Sequence, residues 1–215
     1  MKRLIPPALA AAVLGLGAMT DVTPDTALRG ASAPFEMLRL SSEMARVGQA
    51  NRDAWLLAVA ARMRRQTPLR DVRRAPDGDA APAGGPDPSD AWLDAAADIG
   101  AEDPRLQALV REVRATGFKG RAGGPQVSRA RVRGGAAHRY GESFELGRPA
   151  VVYIEGDGDT DLDLVVRSPA GTSACTQQGP GDIKLCAWTA TQSGRYAVEV
   201  VNRGRVDNAY AFATN

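Results

Sequence analysis

Histidine and cysteine are scarce in this chain, and their scarcity excludes whole classes of functional site. The 215 residues include one histidine and two cysteines. The single histidine, His138, cannot form a histidine-pair metal site. No Gly-x-Ser-x-Gly nucleophile elbow and no phosphate-binding loop accompanies it. We expect His138 to be exposed or loosely packed at the start of a strand, and we predict that the protein is not an enzyme.

The chain also lacks an excess of charge. It has 27 basic and 25 acidic residues, and Lys2 and Arg3 account for the formal net charge of +2. The remainder is neutral and has no electrostatic field to attract nucleic acid or anionic lipid. We therefore expect no nucleic-acid partner.

Long apolar runs are missing except at the N-terminus. There, Lys2 and Arg3 precede an apolar run at residues 4–18 that ends in small residues, a pattern typical of a secretory signal. The run is shorter than the about 20 apolar residues that a membrane-spanning helix needs. We therefore assign residues 1–19 to a signal peptide, with no stable membrane insertion after its cleavage. A retained N-terminal anchor is the alternative. The mature protein is expected to be periplasmic or secreted.

The two cysteines, Cys175 and Cys186, fit this location. An even number of cysteines in an exported chain favours a disulfide. Closing a loop of this length would stabilise the fold by about 3 kcal/mol. Two buried free thiols remain the alternative.

The first half of the chain shows helical periodicity. Residues 20–34 have little pattern and are predicted to be a flexible leader. Residues 35–117 form a predicted helical region with a Pro/Gly/Ala-rich linker at 75–89. Asp53 and Asp103 are predicted helix N-caps, the second followed by proline at the first helical position.

Apolar residues form stripes on these predicted helices. Four of them lie close to one face of the first helix: Phe35, Leu38, Met44 and Val47. The second helix carries Trp55, Leu56, Val59, Ala60 and Met63. Such stripes either pack the hairpins into a small four-helix bundle, which we favour, or dock a protein partner.

The second half changes to a period of two. After a hinge at 118–126, short alternating segments separated by Gly and Pro turns predict an antiparallel sandwich at 127–215. The predicted strands are 127–133, 138–146, 150–155, 162–167, 172–176, 183–189, 195–202 and 208–214. The predicted fold class is α+β with segregated parts, a helical-hairpin region followed by a jelly-roll-like β-sandwich.

Three segments of the sandwich carry a family resemblance. They are DGDTDLDL at 157–164, GRYAVEVVN at 194–202 and YAF at 210–212. With them, residues 126–215 resemble the bacterial pre-peptidase C-terminal domain. The resemblance implies a non-catalytic accessory β-sandwich of exported proteins, some members of which assist substrate attachment and some of which bind calcium. The helical region resembles no family, and no peptidase domain is present.

A row of alternating carboxylates is the sharpest chemical candidate: Glu155, Asp157, Asp159, Asp161 and Asp163. The four aspartates are the candidate metal ligands. Calcium takes six to eight oxygen ligands, and this turn can supply several of them. The spacing does not match an EF-hand loop. Two alternatives remain, because the carboxylates could simply cap the turn, or could pair across strands with a row of arginines. These are Arg129, Arg131 and Arg133.

Aromatic residues offer a weaker candidate site. Tyr153 and Trp188 could stack against a glycan, although aromatic residues at such positions more often fill a sandwich core. The leading hypothesis is an exported, non-catalytic interaction or accessory module. In it the helices hold a protein partner and the sandwich is a stable display domain. The alternative is a calcium-dependent or glycan-binding sandwich.

Overall fold

A computed structural model describes residues 24–77, 81–82, 87–116 and 124–215. The predicted signal peptide and most of the predicted hinge lie outside this part of the chain. The helices are α1 (Pro24–Asn51), α2 (Ala54–Gln66), α3 (Ser89–Ile99) and α4 (Pro104–Ala115). The strands are β1 (Arg70–Asp71), β2 (Ala81–Pro82), β3 (Gln126–Val132), β4 (Ala137–Phe144), β5 (Pro149–Gly156), β6 (Leu162–Arg167), β7 (Ser173–Gln177), β8 (Ile183–Thr189), β9 (Gly194–Asn202) and β10 (Asn208–Thr214).

Helix α1 is longer than the sequence pattern predicts. It begins at Pro24 and continues through Pro34, so the prediction of a flexible leader at residues 20–34 is wrong from Pro24 onward. Further along, Phe35 and Leu38 are buried against the sandwich. Once these residues have fixed the helix, adding turns toward the N-terminus requires little further packing.

The predicted caps are confirmed at two helices. The Asp53 carboxylate accepts a hydrogen bond from the backbone N–H of Leu56, three residues on. Asp103 does the same for Arg105 and Leu106 at the start of α4, where Pro104 occupies the first turn. At α3 the carboxylate of Asp87 instead accepts from the backbone N–H of Ser89.

The strands form two sheets that face each other. Sheet A has the order β1-β3-β10-β5-β8, with β2 also paired to β3, and sheet B has the order β4-β9-β6-β7. All eight predicted strands are present, with ends shifted by no more than two residues. The core between the sheets contains alternate residues of both, including Ile154, Leu164, Val198 and Phe212. The predicted α+β class and its β-sandwich are therefore confirmed.

The predicted disulfide is present at the edge of the sandwich. Cys175 on β7 and Cys186 on β8 are bonded, with their Cα atoms 5.9 Å apart. Since β7 belongs to sheet B and β8 to sheet A, the bond ties the two sheets together.

The helices form a third layer. Residues of all four helices share one core, which includes Ala45, Leu57, Leu93 and Val110, as the four-helix prediction requires. Helix α1 also packs on the outer face of sheet A, where Phe35 and Leu38 contact a second cluster that includes Tyr153. The helical region therefore has two cores, one of its own and one shared with the sandwich. Within the described residues, no helix has the length and apolar character to cross a membrane.

The extended backbone between α2 and α3 pairs with the sandwich. Asp77 exchanges backbone hydrogen bonds with Arg139, and β2 pairs with β3. The Arg74 guanidinium lies 3.1 Å from the Glu142 carboxylate, and both side chains are largely buried. The described part of the Pro/Gly/Ala-rich segment is thus held against sheet edges.

His138 is buried, contrary to the sequence-based expectation. It is 2% exposed, and its Nδ1 lies 2.9 Å from the hydroxyl of Tyr210. That hydroxyl is 2.6 Å from the hydroxyl of Tyr140. The ring fills the sandwich interior because β4 turns it inward beside these tyrosines. Burial raises the pKa of Tyr140 to about 12.

Candidate interaction surface

A buried ion pair fixes the helices to sheet A. The Arg64 side chain on α2 is 2% exposed, and its Nη1 donates to the Glu155 carboxylate on β5 at 2.6 Å. Its Nε donates to Asp87 at 3.2 Å. Glu155 also accepts hydrogen bonds from the hydroxyls of Ser42 on α1 and Tyr153 on β5. We call these five residues the buried latch. It joins α1, α2 and the segment before α3 to one strand of the sandwich.

The charges of the latch stabilise one another. Burial by itself would lower the pKa of the Arg64 guanidinium, but Glu155 and Asp87 outweigh it and raise the pKa above its ordinary value. Burial would likewise raise the pKa of Asp87, but the charge of Arg64 and the hydrogen bonds from Ser89 hold it below its ordinary value. Arg64 and Asp87 therefore both stay charged at neutral pH.

A second contact fixes the C-terminal half of α1. Arg46 Nη2 donates to Asp182 Oδ1 at 2.5 Å, and the Asp182 carboxylate is nearly inaccessible to solvent. The other Asp182 oxygen accepts the backbone N–H of Gly158 at 2.6 Å. Helix α1 is thus held to the turns at one end of the sandwich as well as to its outer face.

With these contacts on one side, the opposite side of the α1–α2 hairpin faces solvent. Seven apolar residues lie there: Met37, Leu40, Met44 and Val47 on α1, and Leu56, Val59 and Met63 on α2. Of these, Met44 also packs against the core of the helical region. Leu40, Val47 and Val59 are 44%, 50% and 37% exposed, and the other four are partly exposed. We call this set the apolar seam. A group of large apolar side chains left accessible in this way is typical of a binding surface.

The sequence pattern grouped the α1 residues incorrectly. Phe35 and Leu38 lie against sheet A, whereas Met44 packs partly against the helical core and Val47 is exposed, so the four do not share one face. Sequence reasoning also missed Met37 and Leu40. The signal was available, because 37, 40, 44 and 47 alternate steps of three and four residues.

Most carboxylates of the acidic turn, residues 157–163, accept hydrogen bonds from other groups of the protein. Asp157 accepts hydrogen bonds from the backbone N–H groups of Asp159 and Ala209. Asp161 accepts from the backbone N–H of Gly181 at 2.6 Å. Asp159 is exposed. In the part of the chain that the structure describes, no three His, Cys, Asp or Glu side chains converge as a metal site would require. Calcium binding here therefore stays a prediction, and these contacts favour the turn-capping alternative.

The proposed pairing of acidic and basic rows is wrong. Asp163 on β6 pairs with Arg203, whose Nε lies 2.6 Å away. Arg129 and Arg131 lie on β3 and Arg133 follows it. Strand β3 pairs with β1, β2 and β10, and neither β5 nor β6, which flank the acidic turn, is its neighbour, so the two rows are not cross-strand neighbours. Arg129 instead pairs with Asp71 at 2.7 Å.

The acidic turn lines a shallow cleft of about 400 Å³ together with Arg46, Asp182 and Arg205. Charges of both signs meet there, and Arg46 and Asp182 already pair with each other.

The two aromatic candidates do not form a surface platform. Tyr153 is 1% exposed, because Phe35 of α1 covers it. Trp188 is partly buried and packs between Phe144 and Tyr196, with ring centroids 5.2 and 5.8 Å away. Stacking of a glycan on Tyr153 would require α1 to detach.

Comparisons with known proteins give only distant similarities. No family model matches the chain, and no curated protein matches it by sequence. Among solved structures, a pre-peptidase C-terminal domain of collagenase from Bacillus anthracis is 14% identical. The similarity covers 41% of this chain and 87% of that domain, with a TM-score of 0.37.

Two further structures have similar scores. A periplasmic inhibitor of g-type lysozyme from Aeromonas hydrophila is 16% identical over 42% of this chain and 86% of its own, with a TM-score of 0.32. A de novo designed double-stranded β-helix is 15% identical over 41% and 97%, with a TM-score of 0.27. Similarities at this level carry no conclusion about function. The β-sandwich itself is established by the strand pairing described above.

Proposed function

We propose that the protein is an exported, non-catalytic interaction module whose α1–α2 hairpin contacts another protein through the apolar seam. The observation that carries the proposal is the placement of the seam. Three exposed and four partly exposed apolar side chains lie together on a hairpin that the buried latch and the Arg46–Asp182 pair fix from behind. A rigid, preorganised apolar surface loses little conformational entropy on binding.

The sandwich supplies the rigid support in this proposal. The disulfide ties its two sheets together, and such bonds persist in oxidising compartments. We therefore place the protein in the periplasm or outside the cell, as the N-terminal sequence and the resemblance to pre-peptidase C-terminal domains also imply. Cell fractionation followed by N-terminal sequencing of the protein tests this placement.

Site-specific photo-crosslinking in the producing cells tests the seam itself. A photoreactive amino acid at Val47 or Val59 should give crosslinked protein adducts. The same group at Leu146 or Val206, which are more exposed and lie on the sandwich, serves as the control. If the yield of crosslinked adducts at the seam does not exceed the yield at the control positions, the proposed contact surface is refuted.

A further inference from the structure

The seam has the residue spacing of a helix-packing interface. On α1 the steps between Met37, Leu40, Met44 and Val47 are those of a and d positions in a heptad, and Leu56, Val59 and Met63 repeat the pattern on α2. Two adjacent antiparallel helices with such stripes form half of a four-helix bundle. The three methionines add side chains that adapt readily to a partner surface.

The two edges of the seam carry opposite charges. Glu36 and Glu43 occupy the g positions beside the α1 stripe, and Arg62 occupies a g position beside the α2 stripe. Glu43 is half-exposed and, among the residues that the structure describes, pairs with Arg39 of its own helix. Arg62 is also half-exposed, with its nearest carboxylate, on Glu112, 3.8 Å away. Both charges can therefore reach a partner.

The register of the hairpin sets these two charges at the same level. Gly48 of α1 lies against Leu57 of α2, since a Cβ added at Gly48 would be 3.0 Å from the Leu57 Cγ. Glu43 precedes Gly48 by five residues on α1, and Arg62 follows Leu57 by five residues on α2. In an antiparallel hairpin these positions lie side by side, on opposite outer edges of the seam.

We propose that the occupant of the seam is a second copy of this chain, related by a two-fold axis that runs parallel to the hairpin. This arrangement places α1 of one protomer over α2 of the other and brings g positions together, as in antiparallel helix pairs. Each Glu43 then meets the partner's Arg62, twice per dimer. A two-fold axis perpendicular to the helices would instead set the acidic edges against each other.

A self-complementary surface explains why the seam has an apolar centre and why its two edges carry opposite charges. An isologous interface uses the same patch on both protomers, so it must be apolar in the centre and carry both charges at its edges. The inference rests on the proposed function, because it names the partner of the same surface. Paired charges at the rim would fix the orientation more than the affinity.

Sedimentation velocity of the full chain from about 1 to about 100 µM, a range that spans weak dimers, tests the inference. We expect a concentration-dependent dimer. Leu40→Asp should abolish it, whereas Leu146→Asp, which changes an exposed leucine of the sandwich, should leave it intact. Circular dichroism confirms that both variants remain folded.

Charge reversal tests the two-fold arrangement. Glu43→Arg and Arg62→Glu should each weaken the dimer by about tenfold, because each places like charges opposite each other. An equimolar mixture of the two variants should form a heterodimer with the original affinity, since each reversed charge then meets an opposite charge.

Two outcomes overturn the inference. One is a chain that stays monomeric throughout the concentration range, as it would if residues 1–23 or an unrelated protein covered the seam. The other is a dimer that Leu40→Asp leaves unchanged or whose charge variants do not recover on mixing. A monomer that still crosslinks at Val47 to a different protein would refute the second copy but keep the proposed contact surface. A monomer without crosslinks would refute both.

Discussion

Replacing Arg64 by methionine tests the buried latch. The substitution keeps most of the apolar side chain but removes the guanidinium that lies 2.6 Å from Glu155 and 3.2 Å from Asp87. Glu155 is only 9% exposed and would keep two hydroxyl donors, from Ser42 and Tyr153.

The expected loss is large because a buried charge is left without its partner. Breaking a buried ion pair in this way lowers the free energy of unfolding by about 3–5 kcal/mol. That is a substantial fraction of the roughly 5–15 kcal/mol that stabilises a typical domain. Replacing both Arg64 and Glu155 by methionine removes the most buried pair and leaves Asp87 with its hydrogen bond from Ser89. The double variant should therefore be less destabilised than Arg64→Met alone.

Urea unfolding followed by circular dichroism measures these differences. The matched control is Arg114→Met, which breaks an exposed ion pair with Asp94 in the same helical region. Exposed pairs contribute at most about 1 kcal/mol, so this variant should remain close to the wild type. A loss at Arg64 no larger than at Arg114, or a double variant whose loss equals the sum of the single losses, would refute the role of the latch.

Three further predictions concern the sandwich. Replacing Cys175 and Cys186 by alanine should lower the free energy of unfolding by about 3 kcal/mol in urea titrations, and a change under about 1 kcal/mol would show that the cross-link matters little. Burial raises the pKa of Tyr140 to about 12. The contribution of Tyr140 to stability is therefore complete below its unfolded-state pKa of about 10 and is lost as the pH rises through 12, at up to about 1.4 kcal/mol per pH unit. A free energy of unfolding that stays flat between about pH 10 and pH 12 would contradict the burial of Tyr140. Millimolar calcium should leave Tm unchanged, because the acidic turn already accepts protein hydrogen bonds, and a rise of several degrees would instead support the calcium hypothesis.

Local sequence signals were sufficient to predict the strands and the helix caps. The two-residue spacing of Leu162, Leu164 and Val166, flanked by Asp161, Asp163 and Arg167, depends only on which side of one strand meets the core. The cap at Asp53 depends on a donor three residues away. Such features follow from spacing within one segment, so a single sequence contains them.

The contacts between the helices and the sandwich could not be predicted in the same way. Arg64 and Glu155 are 91 residues apart in the chain, and neither signals the other locally. A partial signal existed, because Arg64 follows Leu57, Ala60 and Ala61 on the buried face of α2. A charge at such a position requires a buried partner, but the sequence does not say which. The position of α1, and with it the exposure of the seam, depends on this long-range pairing.

Hydroxyl-radical footprinting at low and high protein concentration tests the central claim most directly, because it measures whether the seam becomes covered by a second copy. Mass spectrometry would follow the labelling of Leu40, Val47 and Val59, with Leu146 and Val206 as internal controls. The account predicts that the seam residues become protected as the concentration rises while the controls stay equally reactive. Seam residues that remain as reactive as the controls at high concentration would contradict it.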